Sequence, residues 1–428
     1  MNCSYACNSA EHWIARRSFL GSLAAGGVGL AGGFELLARP ATAQQIVLGG
    51  KRVLLFWLEG GLSQLESWDP KTDTTIGGPF RSIPTSVPGL HICELLPQTA
   101  KQMHRLAVIR SVNTSESEHA RAIQLMTTGH RPVPGALHPR LGATMSKVLE
   151  RPGNPLPGHI HARNAGGGRG NDAAYLGPKY ASFAVAVDKP LQHVQRPEQV
   201  TAESDQKRHA LRRRINDQFA QWRRTAETDA YAVSYEQALQ VMERGDVFDL
   251  GKEPERDRQR YGNSDLGKHC LLARRLLEHD IPFVQVTHRN YDSHHENFNF
   301  HLEQVGEFDG AFATTIEDLA ERGLLESTLV IVMSEFGRSP AINAGLGREH
   351  WCNAWSVVLG GAGIQPGAVI GKTNDQCTEV VDRPVDQRHL FHTFLEAVNV
   401  DPTDTFDVAG KEIPIADPAG ESIEELLI

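Results

Sequence analysis

Cysteine is scarce in this chain, and what there is excludes two common architectures. Of six cysteines, Cys3 and Cys7 fall in the N-terminal segment, and Cys93, Cys270, Cys352 and Cys377 stand far apart with no CxxC spacing. Neither a zinc knuckle nor a disulfide scaffold is indicated, and a single bridge between an unnamed pair stays open. A surplus of positive charge is also missing. The formal net charge is −9, so nothing global attracts nucleic acid. Beyond residue 43 no run approaches the about 20 apolar residues of a spanning helix, so no transmembrane segment is expected in the mature chain. Internal repeats and low-complexity linkers are absent too, which leaves no seam for splitting the chain.

The N-terminus reads as a targeting segment. Arg16-Arg17-Ser18-Phe19-Leu20 sets paired arginines directly before a weakly apolar stretch, Leu23 to Leu37, rich in Gly and Ala and broken by Glu35. Ala41-Thr42-Ala43 follows as a small-x-small cleavage site. This order predicts a twin-arginine signal over residues 1–43 and a mature protein, 44–428, made of one domain. The expected location is periplasmic or secreted, with the twin-arginine machinery as an export partner.

Short apolar runs punctuate the rest. Val53–Leu58 is continuous and ends at Glu59-Gly60-Gly61, and similar runs occur at Leu106–Ile109, Ile281–Val286, Leu329–Met333 and Ser356–Leu359. Strands buried on both faces read this way. Between two of them, Leu302, Val305, Phe308, Phe312, Ile316 and Leu319 step by three or four residues, with Gly323 as a helix C-terminal cap. Strand, helix, strand is the βαβ unit, and the predicted class is α/β. From about 201 to 262 the chain is highly charged, with Arg212-Arg213-Arg214 and Arg223-Arg224, and reads as a helical insertion with a solvated basic face. Leu266–Glu278 returns to the core as a helix. Gly166–Gly170 is expected to be a loop, because no strand and helix flank it as a phosphate-binding loop requires.

In open α/β sheets ligands bind beyond the carboxyl ends of the strands, and the chemistry-bearing residues fall there. Glu59 and Asp69 follow the first run, and His119 lies in the loop region after the second. His288-Arg289-Asn290-Tyr291-Asp292-Ser293-His294-His295 follows the third, and Ser334-Glu335-Phe336-Gly337-Arg338 the fourth. Gly347-Arg348-Glu349-His350-Trp351 precedes the last. Carboxylates with imidazoles bind divalent ions and suit metal-assisted hydrolysis. Each has a plainer alternative: a polar turn capping the next helix for Asp292–His295, a salt bridge to Arg338 for Glu335, a structural histidine for His350 and a tight turn at Glu59.

These segments resemble an exported bacterial family known as domain of unknown function 1501, placed with the alkaline phosphatase and sulfatase superfamily. The resemblance covers most of the mature chain. It rests on Gly60-Gly61-Leu62-Ser63-Gln64 with Trp68-Asp69-Pro70-Lys71, His119 through Gly129, Arg260-Tyr261-Gly262, Asp292-Ser293-His294, Ser334–Arg338 and Gly347–Trp351. It implies a three-layer fold with a central, mostly parallel sheet between helices, and metal ligands on loops after the strands. By position, the resemblance makes Glu59, Asp292 with His294 or His295, Glu335 and His350 the metal ligands. His119 falls where phosphatases and sulfatases carry their Ser, Thr or Cys nucleophile. Phe336 falls where a histidine ligand is expected, and no Cys-x-Pro-x-Arg sequence is present.

Two functional readings follow. One is an exported hydrolase of small phosphate or sulfate esters, including phosphorylated or sulfated glycans, with a bound zinc, calcium or manganese ion. In it His119 faces the reacting group, and Arg338 or Arg348 steadies the anion. The other is a non-catalytic envelope protein, for binding or assembly, that keeps the hydrolase fold.

Overall fold

The structure, a computed structural model, describes residues 50–151, 153–164, 172–187, 196–223 and 226–428. The expected signal over 1–43 and the glycine-rich segment 166–170 lie outside the described residues. Eight strands form one sheet: β1 Arg52–Leu58, β2 Leu106–Val112, β3 His159–Ala162, β4 Phe183–Val185, β5 Phe283–His288, β6 Thr328–Met333, β7 Trp355–Gly361 and β8 Val369–Ile370. Their order is β8-β2-β7-β6-β1-β5-β3-β4. Every pairing is parallel except those of β7, which runs antiparallel to both β2 and β6.

The continuous apolar runs are central because both of their faces are covered. All seven residues of β1 are buried. Leu54, Phe56 and Leu58 face one cluster together with Val284, Val286, Val330 and Val332. Two helices, α7 (Asp265–Glu278) and α8 (Asn297–Glu321), cover this face. Phe308 and Phe312 of α8 stack on one another and meet the Phe56 ring edge-on at 5.9 and 5.1 Å. On the opposite face, α3 (Leu141–Val148) passes so near β5 that a Cβ on Gly142 would lie 2.7 Å from the Phe283 ring. The result is a three-layer α/β fold with a mixed, mostly parallel sheet between helices. No helix among the described residues is long and apolar enough to cross a membrane.

Three details differ from the sequence reading or sharpen it. Leu302, placed by its spacing on the apolar face of α8, is 54% exposed, because the buried positions of the first turns are the polar Asn297 and His301 and the apolar stripe begins at Val305. Gly323 takes φ +66 just past that helix, as a left-handed terminator should. The charged insertion is helical: α4 (Ala202–Arg223), α5 (Ala226–Glu243) and the short α6 (Glu255–Tyr261).

One topological fact places the site. Because β7 runs against its neighbours, its start lies at the same rim where β1, β2, β5 and β6 end. The hairpin Gly337–Ile342 and Arg348–Trp351, which links β6 to β7, therefore stands over that rim.

Candidate metal and active site

Asp292 is the centre of the cluster. It follows β5, and the chain turns beneath it because Gly60 and Gly61 leave room. Both glycines hold positive φ, +119 and +91, and a Cβ on Gly60 would lie 2.4 Å from the Asp292 nitrogen. Only glycine permits that approach without strain. Asp292 Oδ1 accepts a hydrogen bond from Arg338 Nη2 at 2.6 Å. The same oxygen faces His294 Nε2 at 3.1 Å, His350 Nε2 at 3.4 Å and His119 Nε2 at 3.4 Å.

Each of these imidazoles is held at its other nitrogen by an oxygen. His119 opens helix α2 (His119–Thr128), whose first amides are capped by the Glu118 side chain. Its Nδ1 donates to Glu335 Oε1 at 2.8 Å. His350 Nδ1 donates to the Ser117 carbonyl at 2.8 Å, and His294 Nδ1 to Glu349 Oε2 at 2.7 Å. With Nδ1 donating outward in all three, each ring leaves its Nε2 within 3.4 Å of Asp292 Oδ1. Histidine ligands are commonly oriented in this way by an outer oxygen.

Burial opposes the negative charge on Asp292, but the hydrogen bond and charge of Arg338, with the imidazoles of His119 and His294, hold its carboxyl below the usual range. The Glu335 hydrogen bond raises the His119 pKa against a smaller opposing effect of burial. His350 is shifted down by burial and by the positive charge of Arg338, His119 and His294, against its bond to Ser117. Phe336 forms an apolar floor, its ring 4.8 Å from that of His119 and 4.5 Å from that of His350.

The donor set fits a small divalent ion. His119, Asp292 and His350 each offer one ligand atom within 4.8 Å of the others. His294 Nε2 and His350 Nε2 are 3.0 Å apart. Adjacent ligands of a tetrahedral ion with bonds of about 2.0–2.1 Å stand about 3.3 Å apart, close to the separations around Asp292 Oδ1. Imidazole nitrogens suit zinc or manganese better than calcium, which prefers oxygen ligands.

The remaining predicted residues have other positions. Glu335 is fully buried and acts one layer out: its Oε1 accepts from Gly60 N at 2.9 Å as well as from His119. Arg338 spends four donors on Asp292 and on the Gly60, Gly61 and Arg348 carbonyls, so it holds the site and is turned away from any ligand in solvent. Arg348 lies apart from the cluster, buried against Glu66 and the Ser339, Pro340 and Ile76 carbonyls, with all five donors engaged. Glu59 pairs with Arg289 at 2.8 Å, and His295 is exposed with no contact to Asp292. Asp69 is buried beside Lys71 and Thr373. The Asp292–His295 turn does not cap α8, whose N-cap residue is Glu296 and has no side-chain cap bond.

Sequence reasoning missed three partners. Glu349 sat in a quoted motif with no role, Glu66 carried no local signal, and the Ser117 carbonyl is backbone, which no residue type announces. The cavities found elsewhere do not mark the cluster. One of about 1050 Å³ runs along Val185–Val187 and Leu250–Lys252 and is lined by none of these residues. Glu349 offers a clean test of the anchoring, because its half-exposed side chain can be removed without opening the core. Glu349→Ala should weaken zinc affinity about tenfold at unchanged melting temperature, as read by chelator competition.

No curated protein matches the sequence. Solved structures similar to this chain include a sulfatase, PsFucS1, from Pseudoalteromonas sp., at 13% identity and TM-score 0.39, covering 85% of this chain and 72% of that one. The lipoteichoic acid synthase LtaP from Listeria monocytogenes is similar at 10% identity and TM-score 0.37, covering 88% and 80%. Alkaline phosphatase from the Antarctic bacterium TAB5 is similar at 12% identity and TM-score 0.35, covering 82% and 98%. The family described as Protein of unknown function (DUF1501) matches residues 50–427. With nearly all of the described chain inside that match, the protein belongs to the DUF1501 family.

Proposed function

We propose that this protein is an exported, metal-dependent hydrolase of phosphate or sulfate esters, with zinc or manganese held by His119, Asp292 and His350 and with His294 at its edge. The observation that carries this reading is the convergence of three oriented Nε2 atoms on one carboxylate oxygen. A divalent ion supplies Lewis acidity and a water of lowered pKa. Everything else falls to the chain. Glu335, the Ser117 carbonyl and Glu349 keep the three Nδ1 protons and so leave each Nε2 beside Asp292 Oδ1. Arg338 keeps Asp292 ionised, and Phe336 closes the floor to water. His119, first read as facing the reacting group, is better employed as a ligand, since Glu335 takes its Nδ1 while its Nε2, beside Asp292, has no hydrogen-bond partner.

The test is metal analysis of the purified protein, followed by chromogenic phosphate and sulfate esters with and without added zinc or manganese. About one ion per chain and turnover of one ester class are expected. His119→Ala should lower both, turnover by at least about a hundredfold. A protein that binds neither ion and leaves both ester classes intact would discard the hydrolase reading in favour of an envelope binding or assembly role.

A further inference from the structure

The helical insertion carries a feature that the site does not use. Helix α4 exposes Leu211, Ile215, Phe219 and Trp222, which are 47%, 53%, 48% and 87% accessible. At about 100° per residue these four fall within an arc of about 80°. They form a continuous apolar ridge along the helix. The side facing the protein is a different one. There Arg212 reaches Glu236 of α5 and lies over the Tyr235 ring, 3.9 Å from its centroid. The ridge is therefore not a core face left partly open.

Charge accompanies the ridge. Helix α4 contains six Lys and Arg residues against three Asp and Glu, in a chain whose net charge is −9. Arg208 lies in line with the ridge toward its N-terminal end, and Lys207 and Arg214 flank it on one side. Lys207–Glu203 joins two exposed groups, and a pair of that kind is worth little and exchanges readily for other anions; Arg208, itself exposed, pairs with the half-buried Asp205. A convex apolar ridge bordered by cations complements a planar surface with an apolar interior and anionic heads. It is a poorer match for a protein groove, which would need concave walls on both sides of a single helix.

We propose that α4 is an interfacial helix that seats this protein on anionic phospholipid bilayers. Leu211, Ile215, Phe219 and Trp222 enter the headgroup–acyl boundary, while Arg208 and Arg214 contact the lipid phosphates. The proposal does not depend on the metal site.

Flotation of the full chain with vesicles of phosphatidylglycerol and phosphatidylethanolamine tests it, with phosphatidylcholine vesicles as the neutral comparison. Binding to the anionic vesicles is expected, at least tenfold stronger than to the neutral ones and reduced by salt. Ile215→Glu/Phe219→Glu should lower it at least tenfold, and Arg208→Glu/Arg214→Glu should remove the preference for anionic lipid. All four positions are on the outer surface, so circular dichroism and melting temperature should match the parent chain. Binding that survives both double substitutions would overturn the proposal, because another segment would then be responsible. So would absence of binding to anionic vesicles, or a dimer seen by sedimentation that Ile215→Glu/Phe219→Glu dissociates, since a second copy would then cover the ridge.

Discussion

Asp292→Asn should leave a folded protein that retains less than about a tenth of an ion per chain and turns over ester substrates about a thousandfold more slowly. A Lewis-acid contribution of several kcal/mol corresponds to about three decades in rate. The amide keeps the shape of the carboxylate and removes its charge. Three Nε2 atoms lie within 3.4 Å of the oxygen concerned, and the Arg338 guanidinium donates to it. Without that charge the imidazoles converge on a neutral group. Arg338 keeps the Gly60, Gly61 and Arg348 carbonyls, so the turn stays in place. Plasma mass spectrometry after dialysis, with kinetics on the same sample, reads the outcome. Full metal content together with parental turnover would remove Asp292 from the centre of the site.

The second large effect concerns stability. Arg348 and Glu66 are both fully buried and meet at 2.7 Å. Arg348→Ala strands a buried carboxylate and should cost about 3–5 kcal/mol, read as a fall in the urea midpoint. Replacing the pair by Glu66→Gln with Arg348→Met should recover most of that loss, because a neutral pair of similar volume leaves no uncompensated charge. The pair also predicts a pH dependence. Burial works against the Glu66 charge, yet Arg348 and His301 outweigh it and depress the carboxyl below its ordinary 4.5. A carboxyl depressed in the folded state contributes stability that is complete above its unfolded pKa and lost as pH falls through the folded one. Acid unfolding of the parent should therefore steepen below about pH 4.5, and that component should be missing in the Glu66→Gln/Arg348→Met chain. Equal acid sensitivity in both would assign the loss to other groups.

One hairpin contributes to both sites, and that has a mechanical consequence. The Arg348 side chain fastens the hairpin to the loop after β1, and its carbonyl accepts from Arg338, which holds Asp292. His350 is two residues further on. Arg348, first read as an anion clamp, thus acts on the site through geometry. Metal content should fall in Arg348→Ala wherever the hairpin loosens, even at temperatures where the sheet is intact.

Much of this protein was legible in its sequence because of how buried strands must be built. A strand covered on both faces has to be apolar throughout, so Val53–Leu58 and Leu329–Met333 announced themselves, and the residues after them had to lie at the sheet's rim. The short edge strand Phe183–Val185 gave no such signal, since partial cover relaxes the demand for apolar residues, and its inner neighbour His159–Ala162 gave none because two of its four residues are histidines. Asp292, His294 and His350 were readable as a group of ligand types. Their convergence was not, because it depends on β7 running against its neighbours and bringing the preceding hairpin back over the rim.

The sequence by itself determined the fold class, the rim on which chemistry could gather and the kinds of side chain available there. Tertiary structure decided which of those side chains meet. Distance between residues remote in sequence is set by strand order and direction, and a guanidinium's role is set by whichever carbonyls and carboxylates surround it once buried. Arg338 and Arg348 look alike in the sequence, and only the folded chain separates the one that holds Asp292 from the one that pins the hairpin.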